Sequence, residues 1–224
     1  MDNFVLDEDM AYFVGALIGD GHISNAVKSK MKDLSPDYRI VFDVSDVSLA
    51  NELMKILNIL IITKSIPFNS SIKKNRLHRK TVQVRNKKLF LYLTEELKVP
   101  KGAKSSIVFV PSQIKSSSFL IKKHFIAGYF DTDGGLRGGT LGFTSASKQM
   151  INDVSILLTD FFILHSVDRW INKNNYREYY GIRLLKNQTD KFLNKFPFRN
   201  KDKLNKIVRH FHVGMPERSN GTDD

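Results

Sequence analysis

Two segments of the chain begin as an apolar run and end in an aspartate followed directly by a glycine. Residues 13–21 read FVGALIGDG and residues 126–134 read IAGYFDTDG, so that Asp20 matches Asp133. Both runs predict helices, and an acid at the C-terminal end of a helix gains nothing from the helix dipole. A lone Asp-Gly pair would indicate only a turn. Two matched copies favour a site for a divalent cation, the kind of ion that assists phosphodiester hydrolysis.

Small residues recur along one face of each of these predicted helices, which we call the motif helices. Gly15 and Gly19 lie four residues apart in the first, and Gly128 lies four residues before Thr132 in the second. Glycine inside a helix costs about 0.5–1 kcal/mol relative to alanine, so its presence needs a reason. Close packing of the two helices through Gly15 and Gly128 is a sufficient one. Parallel packing would place the two motif aspartates side by side, where they repel unless a cation binds.

The two segments belong to a wider internal duplication. The sequence FDVSDVSLANEL from Phe42 is similar to FTSASKQMINDV from Phe143, and VRN at 84–86 is similar to LKN at 185–187. Three collinear matches indicate an old gene duplication. The first half has extra residues before Phe42, which we place in a longer loop around 28–37.

Each half shows the same order of predicted elements: a helix, two strands, a helix, two strands and a helix. In the first half these span 9–18, 21–27, 38–44, 47–60, 63–72, 77–85 and 87–98. In the second half they span a helix from Phe119, strands near 136–144, a helix over 148–164, strands over 167–172 and 178–185, and a helix over 189–196. We therefore predict an α+β chain with an N-terminal repeat over 1–98, a connecting segment over 99–118, a C-terminal repeat over 119–213 and a disordered tail over 214–224.

Charge indicates the class of partner. The chain has 35 Lys and Arg against 23 Asp and Glu, a net charge of +12, and it has no acidic residue between Glu52 and Glu95. Such clustered positive charge favours a nucleic acid partner over a membrane. No apolar run approaches the roughly 20 residues that a membrane span needs. The absence of cysteine excludes disulfides and thiolate metal sites, and with an acidic N-terminus it fits an intracellular protein of unspecified compartment.

The two motif segments resemble the LAGLIDADG motifs of single-chain homing endonucleases, and IAGYFDTDG is the closer match. VPSQIKSSS before the second motif and SKQMINDV after it also resemble that family. The similarity covers roughly residues 9–211. It implies two pseudo-symmetric αββαββα repeats, with the motif helices packed at the centre and saddle-shaped antiparallel sheets facing the DNA major groove.

The resemblance also implies an activity and a cofactor. The expected protein is a monomeric, Mg²⁺-dependent endodeoxyribonuclease of intron homing, which makes a double-strand cut with short 3′ overhangs in a long, asymmetric target. Asp20 and Asp133 would be its catalytic acids and metal ligands, and the carbonyls of Gly19 and Thr132 would line the metal sites. Oxygen ligands suit Mg²⁺ or Mn²⁺, and Ca²⁺ is expected to bind without supporting cleavage.

Relatives of this kind add a basic residue near each active site. Lys104 in KGAKSS and Lys201 in RNKDK hold similar places in the two halves and are our candidates, although ordinary surface lysines are an equally acceptable interpretation. His22 is a further candidate close to the first motif acid. It has no counterpart in the second half, where Gly135 or Leu136 falls at the matching position.

Basic and amide side chains on the predicted strands and their loops are the candidates for DNA readout, since such groups bind base edges and phosphates. In the first half these are Lys28, Lys30, Lys32, Arg39, Arg76, Arg79, Lys80, Gln83 and Arg85. In the second half they are Arg137, Arg169, Asn172, Lys173, Arg177 and Arg183. The strand aromatics Trp170 and Tyr179 fit either DNA contact or packing.

Three other functions are compatible with the same features. A catalytically silent DNA-binding regulator would have the same fold, but both motif acids are retained. A maturase that binds intron RNA would show the same basic charge, so the sequence leaves this activity open. A domain carried within an intein is a third possibility, and the absence of cysteine and of a flanking splicing block favours a free-standing protein.

Overall fold

The structure is a computed structural model that describes residues 4–24, 38–62, 69–74 and 80–212. The first half consists of α1 (Glu8–Gly19), β1 (Gly21–Ile23), β2 (Arg39–Val44), α2 (Val47–Ile62), β3 (Asn69–Lys74), β4 (Lys80–Arg85) and α3 (Lys87–Leu91), which continues as a π-helical turn over Tyr92–Glu96. The connecting segment contains a short helix, α4 (Ser112–Lys115).

The second half repeats this order and adds a final helix. Its elements are α5 (Phe119–Asp133), β5 (Gly134–Arg137), β6 (Thr140–Ser145), α6 (Lys148–Asp160), β7 (His165–Ile171), β8 (Glu178–Leu184), α7 (Thr189–Lys195) and α8 (Lys201–His212), with a 3₁₀ turn over Lys186–Gln188. The predicted αββαββα repeat is therefore confirmed. Helix α8 was not among the predicted elements.

Side chains beside the helix ends explain where the helices begin. The Asp7 carboxylate accepts a hydrogen bond from the Met10 amide at 2.8 Å and caps α1. Ser118 caps α5, and the Ser147 hydroxyl accepts from the Met150 amide at 3.2 Å at the start of α6. Helix α6 ends at Asp160, earlier than predicted, because Phe162 adopts a positive φ of 56° that breaks the helix.

Each half contains one antiparallel four-stranded sheet. The strand orders are β1-β2-β4-β3 and β5-β6-β8-β7, so the two sheets have equivalent topology. In β2, Ile40, Phe42 and Val44 are buried while the residues between them keep solvent contact, and Val82 and Val84 show the same alternation in β4. One side of each sheet therefore packs on the helices and the other side, which we call the open face, is turned to solvent.

Helices α1 and α5 pack side by side at the centre of the core. A Cβ atom added to Gly15 would lie 2.2 Å from the Phe125 carbonyl oxygen, and one added to Gly128 would lie 2.0 Å from the Tyr12 carbonyl oxygen. The backbones are thus too close for any larger residue at these two positions. The predicted packing of the motif helices through the two glycines agrees with this geometry.

The chain segments that follow each half cross over to the opposite half. In the connecting segment the Val110 amide donates to Asp153 of α6 at 3.0 Å. At the far end of the chain the Ser48 amide of α2 donates to Asp202 of α8 at 3.0 Å. This exchange interlocks the two repeats. In the described part of the chain no helix is both long and apolar enough to span a membrane.

Candidate active site and nucleic acid interface

The two motif acids end the central helices. Asp20 follows the last turn of α1 and donates its amide to the Ala16 carbonyl at 3.1 Å, and Asp133 is the last residue of α5. A Cβ atom added to Gly19 would lie 3.3 Å from Cγ of Asp133 and 2.1 Å from the Thr132 hydroxyl. The helix ends are therefore in contact where the acids stand.

The pKa of Asp133 reflects the closeness of the two acids. Asp133 keeps solvent contact in a cleft of about 440 Å³ whose lining also includes Gly19, His22, Lys104 and Tyr179. The surrounding protein withdraws water from the carboxylate and Asp20 adds a like charge, and together they raise the pKa of Asp133 to about 6. Lys104 and Lys203 oppose this rise. The cleft thus contains an acid whose pKa is raised toward neutral pH.

Two lysines bind the main chain beside the acids, one from each crossing segment. The Lys104 ammonium donates to the carbonyls of Ile18 and Gly19, the latter at 3.0 Å. The Lys203 ammonium donates to the carbonyls of Thr132 and Gly134, both at 2.8 Å. Burial lowers the pKa of Lys104 to about 8 and lowers the pKa of Lys203 in the same direction.

The position predicted for Lys201 is wrong, and Lys203 occupies it. Lys201 is the exposed first residue of α8, whereas Lys203 is turned toward the end of α5. A helix rotates its side chains by about 100° per residue, so two positions along α8 change the face completely. The sequence signal was present, because the segment RNKDK contains both lysines, but the start of the helix was needed to choose between them.

The carbonyls of Gly19 and Thr132, predicted to line metal sites, each accept a lysine ammonium in this structure. A metal role for these two oxygens stays a prediction. No group of three or more His, Asp or Glu side chains able to hold an ion occurs within residues 4–24, 38–62, 69–74 and 80–212.

A buried acid that the sequence analysis did not single out connects the motif helices to α8. The Asp131 carboxylate accepts from the Tyr12 hydroxyl at 2.6 Å and from the Arg199 and Asn200 amides at 2.7 and 2.9 Å. Burial raises the pKa of Asp131. These bonds fix the chain two residues before α8 and so position Lys203. The available signal was the contrast of Asp131 with Ile18 at the matching position of the first motif.

The open face of the first sheet carries three of the predicted readout residues. Arg39, Gln83 and Arg85 alternate with buried residues, and Arg39 and Gln83 line a cleft of about 460 Å³ together with Asp20 and His22. His22 lines this cleft and the central one, so the two clefts meet beside it.

The other predicted readout residues of the first half do not lie on the described open face. Lys80, the first residue of β4, has the same strand parity as the buried Val82 and Val84 and so lies on the helix side of the sheet, and its role in DNA readout stays a prediction. Outside the described residues lie Lys28, Lys30, Lys32, Arg76 and Arg79.

The open face of the second sheet carries Arg137 and Arg183, both of which form ion pairs with Asp168. Arg169 has the opposite strand parity and pairs with Glu178 at 3.3 Å on the reverse side, so its role in DNA readout stays a prediction. The remaining predicted contacts, Asn172, Lys173 and Arg177, lie in the turn that joins β7 to β8.

Comparison with known proteins supports the resemblance. Residues 121–196 match a family model described as a LAGLIDADG-like domain. The replication factor C small subunit of Methanocaldococcus jannaschii is 29% identical over 206 residues, which cover 90% of this chain and 10% of that protein. The chain therefore spans about a tenth of the length of this curated relative.

Solved structures of the homing endonuclease I-DmoI share the fold. The structure of I-DmoI in complex with DNA and Ca has a TM-score of 0.70 at 18% identity and covers 91% of this chain and 98% of that chain. The complex with DNA and Mn has a TM-score of 0.68 at 19% identity and covers 86% and 97%. Residues 121–196 are thus similar to a LAGLIDADG-like domain, and the predicted resemblance to LAGLIDADG homing endonucleases is confirmed for the fold.

Proposed function

We propose that this chain, which has the LAGLIDADG fold, is a site-specific endonuclease that cuts double-stranded DNA with divalent metal ions. A single chain binds a long, asymmetric target, Mg²⁺ or Mn²⁺ is the cofactor, and the cut leaves short 3′ overhangs. The observation that carries the proposal is the meeting of Asp20 and Asp133 at the paired ends of α1 and α5.

The electrostatics of the two acids call for a cation. Two neighbouring carboxylates repel each other, and Asp20 contributes to the raised pKa of Asp133. A metal ion bound here would polarise a phosphate and lower the pKa of an attacking water. Asp20 and Asp133 would hold it, and their own repulsion would be relieved on binding.

The donor set fits a metal that takes its other ligands from DNA and water. Mg²⁺ keeps several of its waters and is commonly bound through one or two carboxylates together with phosphate oxygens. The motif acids meet this requirement without a third ligand side chain. Ca²⁺ accepts the same oxygen donors, and in this proposal it supports binding of the target but not its cleavage.

Lys104 and Lys203 are the basic groups that we assign to the two halves of the active centre. Each ammonium is fixed by main-chain carbonyls beside a motif acid. Positive charge held in advance where a phosphate gathers negative charge stabilises the transition state without reorganisation. Because the pKa of Lys104 is lowered to about 8, the amine is mostly protonated at neutral pH and acts through its charge.

The open faces of the two sheets supply the target-binding surface. Arg39, Gln83 and Arg85 on the first and Arg137 and Arg183 on the second can contact base edges and phosphates. The excess of positive charge strengthens binding in a salt-dependent manner. The I-DmoI structures contain DNA, which supports the same use of the fold here.

A silent DNA-binding regulator is the alternative that the active centre disfavours. Such a protein has no need for two acids at one place, since their repulsion destabilises the ionised site. Retention of both acids, each with a lysine bound beside it, is explained by catalysis and not by DNA binding alone.

The proposal is tested by removing each acid. A target is first selected from a pool of randomised duplex DNA in the presence of Mg²⁺, and cleavage of a plasmid carrying it is then timed. Asp20→Asn and Asp133→Asn should each reduce double-strand cleavage by roughly 10³-fold or more, because several kcal/mol of metal-assisted stabilisation are lost. Asp190→Asn, which changes an exposed acid of α7, is the matched control and should cleave normally.

Binding separates catalysis from folding in this experiment. Both active-site variants should retain affinity for the target, because the readout surface lies on the sheets and one like-charge repulsion is removed. A variant that nicks one strand would assign its acid to that strand. Full double-strand activity in either variant would contradict the role of that acid, and loss of the folded state in both would favour a structural turn.

A further inference from the structure

The open face of the second sheet contains a cluster of charged and aromatic side chains that the active centre does not use. It consists of Arg137 from β5, Asp168 and Trp170 from β7, and Arg183 from β8, and we call it the arginine cluster. The four residues line a cavity of about 330 Å³. Three different strands thus contribute to one concave site.

Asp168 binds both guanidinium groups. Its two carboxylate oxygens lie 3.4 Å from a nitrogen of Arg137 and 2.8 Å from a nitrogen of Arg183. Arg137 also donates to the Phe143 carbonyl at 3.1 Å and lies over the Trp170 ring at 4.4 Å from its centroid. Arg137 is therefore held from three directions, and its position fixes that of the shared carboxylate.

A glycine in the middle of the sheet makes room for this arrangement. Gly181 pairs with Asp168 in the strand register, and a Cβ atom added to it would lie 1.4 Å from the Arg137 guanidinium. Glycine weakens a strand interior, and close approach of another group is one reason for its presence. A glycine at position 181 thus weakens β8 locally but leaves room for the Arg137 side chain, which crosses the strand there.

The two arginine side chains differ in their exposure to solvent. The Arg137 side chain is 19% exposed, whereas that of Arg183 is 49% exposed. A guanidinium has five N–H donors in a fixed fork, and the ion pair with Asp168 engages only part of the Arg183 fork. Arg183 therefore keeps donors that can reach a ligand, and Arg137 serves as the anchor beneath it.

The shared acid decides what kind of ligand suits this site. A carboxylate within hydrogen-bonding distance of Arg183 repels a phosphate, so the cluster is poorly suited to the DNA backbone. An uncharged base edge with acceptor atoms meets no such repulsion. Guanine presents two acceptors, N7 and O6, in the major groove at the spacing of an arginine fork.

We propose that Arg183 reads a single guanine in the half-site bound by the second sheet, and that Asp168 and Arg137 are positioning residues for it. This inference rests on the proposed function, since it requires the open face to lie in the major groove. The first sheet has a different set of side chains on its open face, including Thr81 paired with Asp43. The guanine preference therefore belongs to one end of the target.

The test measures base preference position by position. Wild-type protein and the variants Arg183→Lys, Asp168→Asn and Glu178→Gln select from a randomised duplex DNA pool in Ca²⁺, and the bound fraction is sequenced. The wild type should prefer guanine at one position by roughly 5- to 150-fold, the discrimination of one bidentate contact. Arg183→Lys keeps the charge but loses the fork, and it should lose most of that preference.

Asp168→Asn should lose the preference at the same position, while Glu178→Gln should leave it intact. Glu178 is the matched control because it pairs with Arg169 on the reverse side of the same sheet. Unchanged preference in both Arg183→Lys and Asp168→Asn would overturn the proposal, as would a uniform loss of affinity with an altered salt slope, which indicates phosphate contacts. A wild type that selects no sequence at all would instead contradict the proposed function.

Discussion

The two halves of the molecule share their buried frame but differ in the surfaces that they turn to solvent. Each half has a motif helix that ends in an acid, a lysine bonded to the carbonyls beside it and a sheet with equivalent strand order. The open face of the first sheet presents Arg39, Gln83 and Arg85 along β2 and β4. The open face of the second presents a preassembled cluster around Asp168.

This difference shows which parts of a duplicated fold are constrained. The contact between α1 and α5 fixes both acids at once, so neither half can change there without the other. The open faces lie on two separate sheets, and their side chains differ. The asymmetric target proposed above agrees with this division, because equivalent helices and sheets carry different side chains on their open faces.

The largest effect that we predict is a loss of folding stability when the contact between α1 and α5 is disturbed. Gly128→Ala places a methyl group 2.0 Å from the Tyr12 carbonyl oxygen, and Gly15→Ala meets the Phe125 carbonyl in the same way. Each should lower the free energy of unfolding by about 3 kcal/mol or more, the upper range for overpacking. Chemical denaturation measures this change.

Gly135→Ala is the control for this prediction. An added Cβ atom at that position of β5 meets nothing within 4 Å, so stability should change by less than about 0.5 kcal/mol. Tolerance of alanine at Gly15 but not at Gly128 would show that the two motif helices are not equivalent in their packing.

A smaller effect is expected when either lysine loses its charge. Lys104→Met and Lys203→Met keep much of the side-chain volume, and each should slow cleavage by about 10²–10³-fold, as does loss of one preorganised electrostatic contact. Separate labels on the two DNA strands would show which cut each lysine assists. Lys201→Met is the control and should cleave like the wild type, because Lys201 is exposed at the start of α8.

Equal slowing of both strands by each lysine variant would mean that the two halves form one shared centre. Slowing of one strand by each variant would mean two centres that work independently. A normal rate for Lys203→Met together with a defect in Lys201→Met would show that Lys201, and not Lys203, is the basic residue of the second half.

The smallest effect concerns the response of Asp133 to pH. Because the pKa of Asp133 is raised to about 6, metal affinity should fall by up to about tenfold per pH unit below 6, as protons compete for the carboxylate. Carboxyl NMR titration of the metal-free protein would give the midpoint directly. Asp20→Asn should move that midpoint lower, since a like charge is removed.

The free energy of unfolding should also depend on the ionisation of Asp133. The folded-state pKa of Asp133 lies above the ordinary value, so the ionised carboxylate disfavours folding at high pH. Asp133→Asn should therefore be more stable than the wild type at pH 8, and the difference should shrink as the pH falls through 6 toward 4. A difference that grows over this interval would contradict the assigned direction.

Much of the fold and of the active centre followed from local patterns in the chain. The two Asp-Gly segments, the glycines within apolar runs and the collinear matches predicted the duplication, the helix contact and the pairing of Asp20 with Asp133. Arg39 and Gln83 were among the candidate readout residues, and both lie on the open face of the first sheet. These features are determined by periods of two and 3.6 residues and by residue size, all of which can be read along a single strand or helix.

Contacts between distant segments were decided only by the tertiary structure. The Asp131 carboxylate of α5 accepts hydrogen bonds from the Arg199 and Asn200 amides, which fixes the start of α8 beside the end of α5. Lys203, in the first turn of α8, therefore reaches the Thr132 carbonyl. The bridging of two arginines by Asp168 depends on the register of β7 against β8. Residue types along the chain do not specify where such elements meet, because a shift of one residue in a strand, or two in a helix, redirects the side chain to another face.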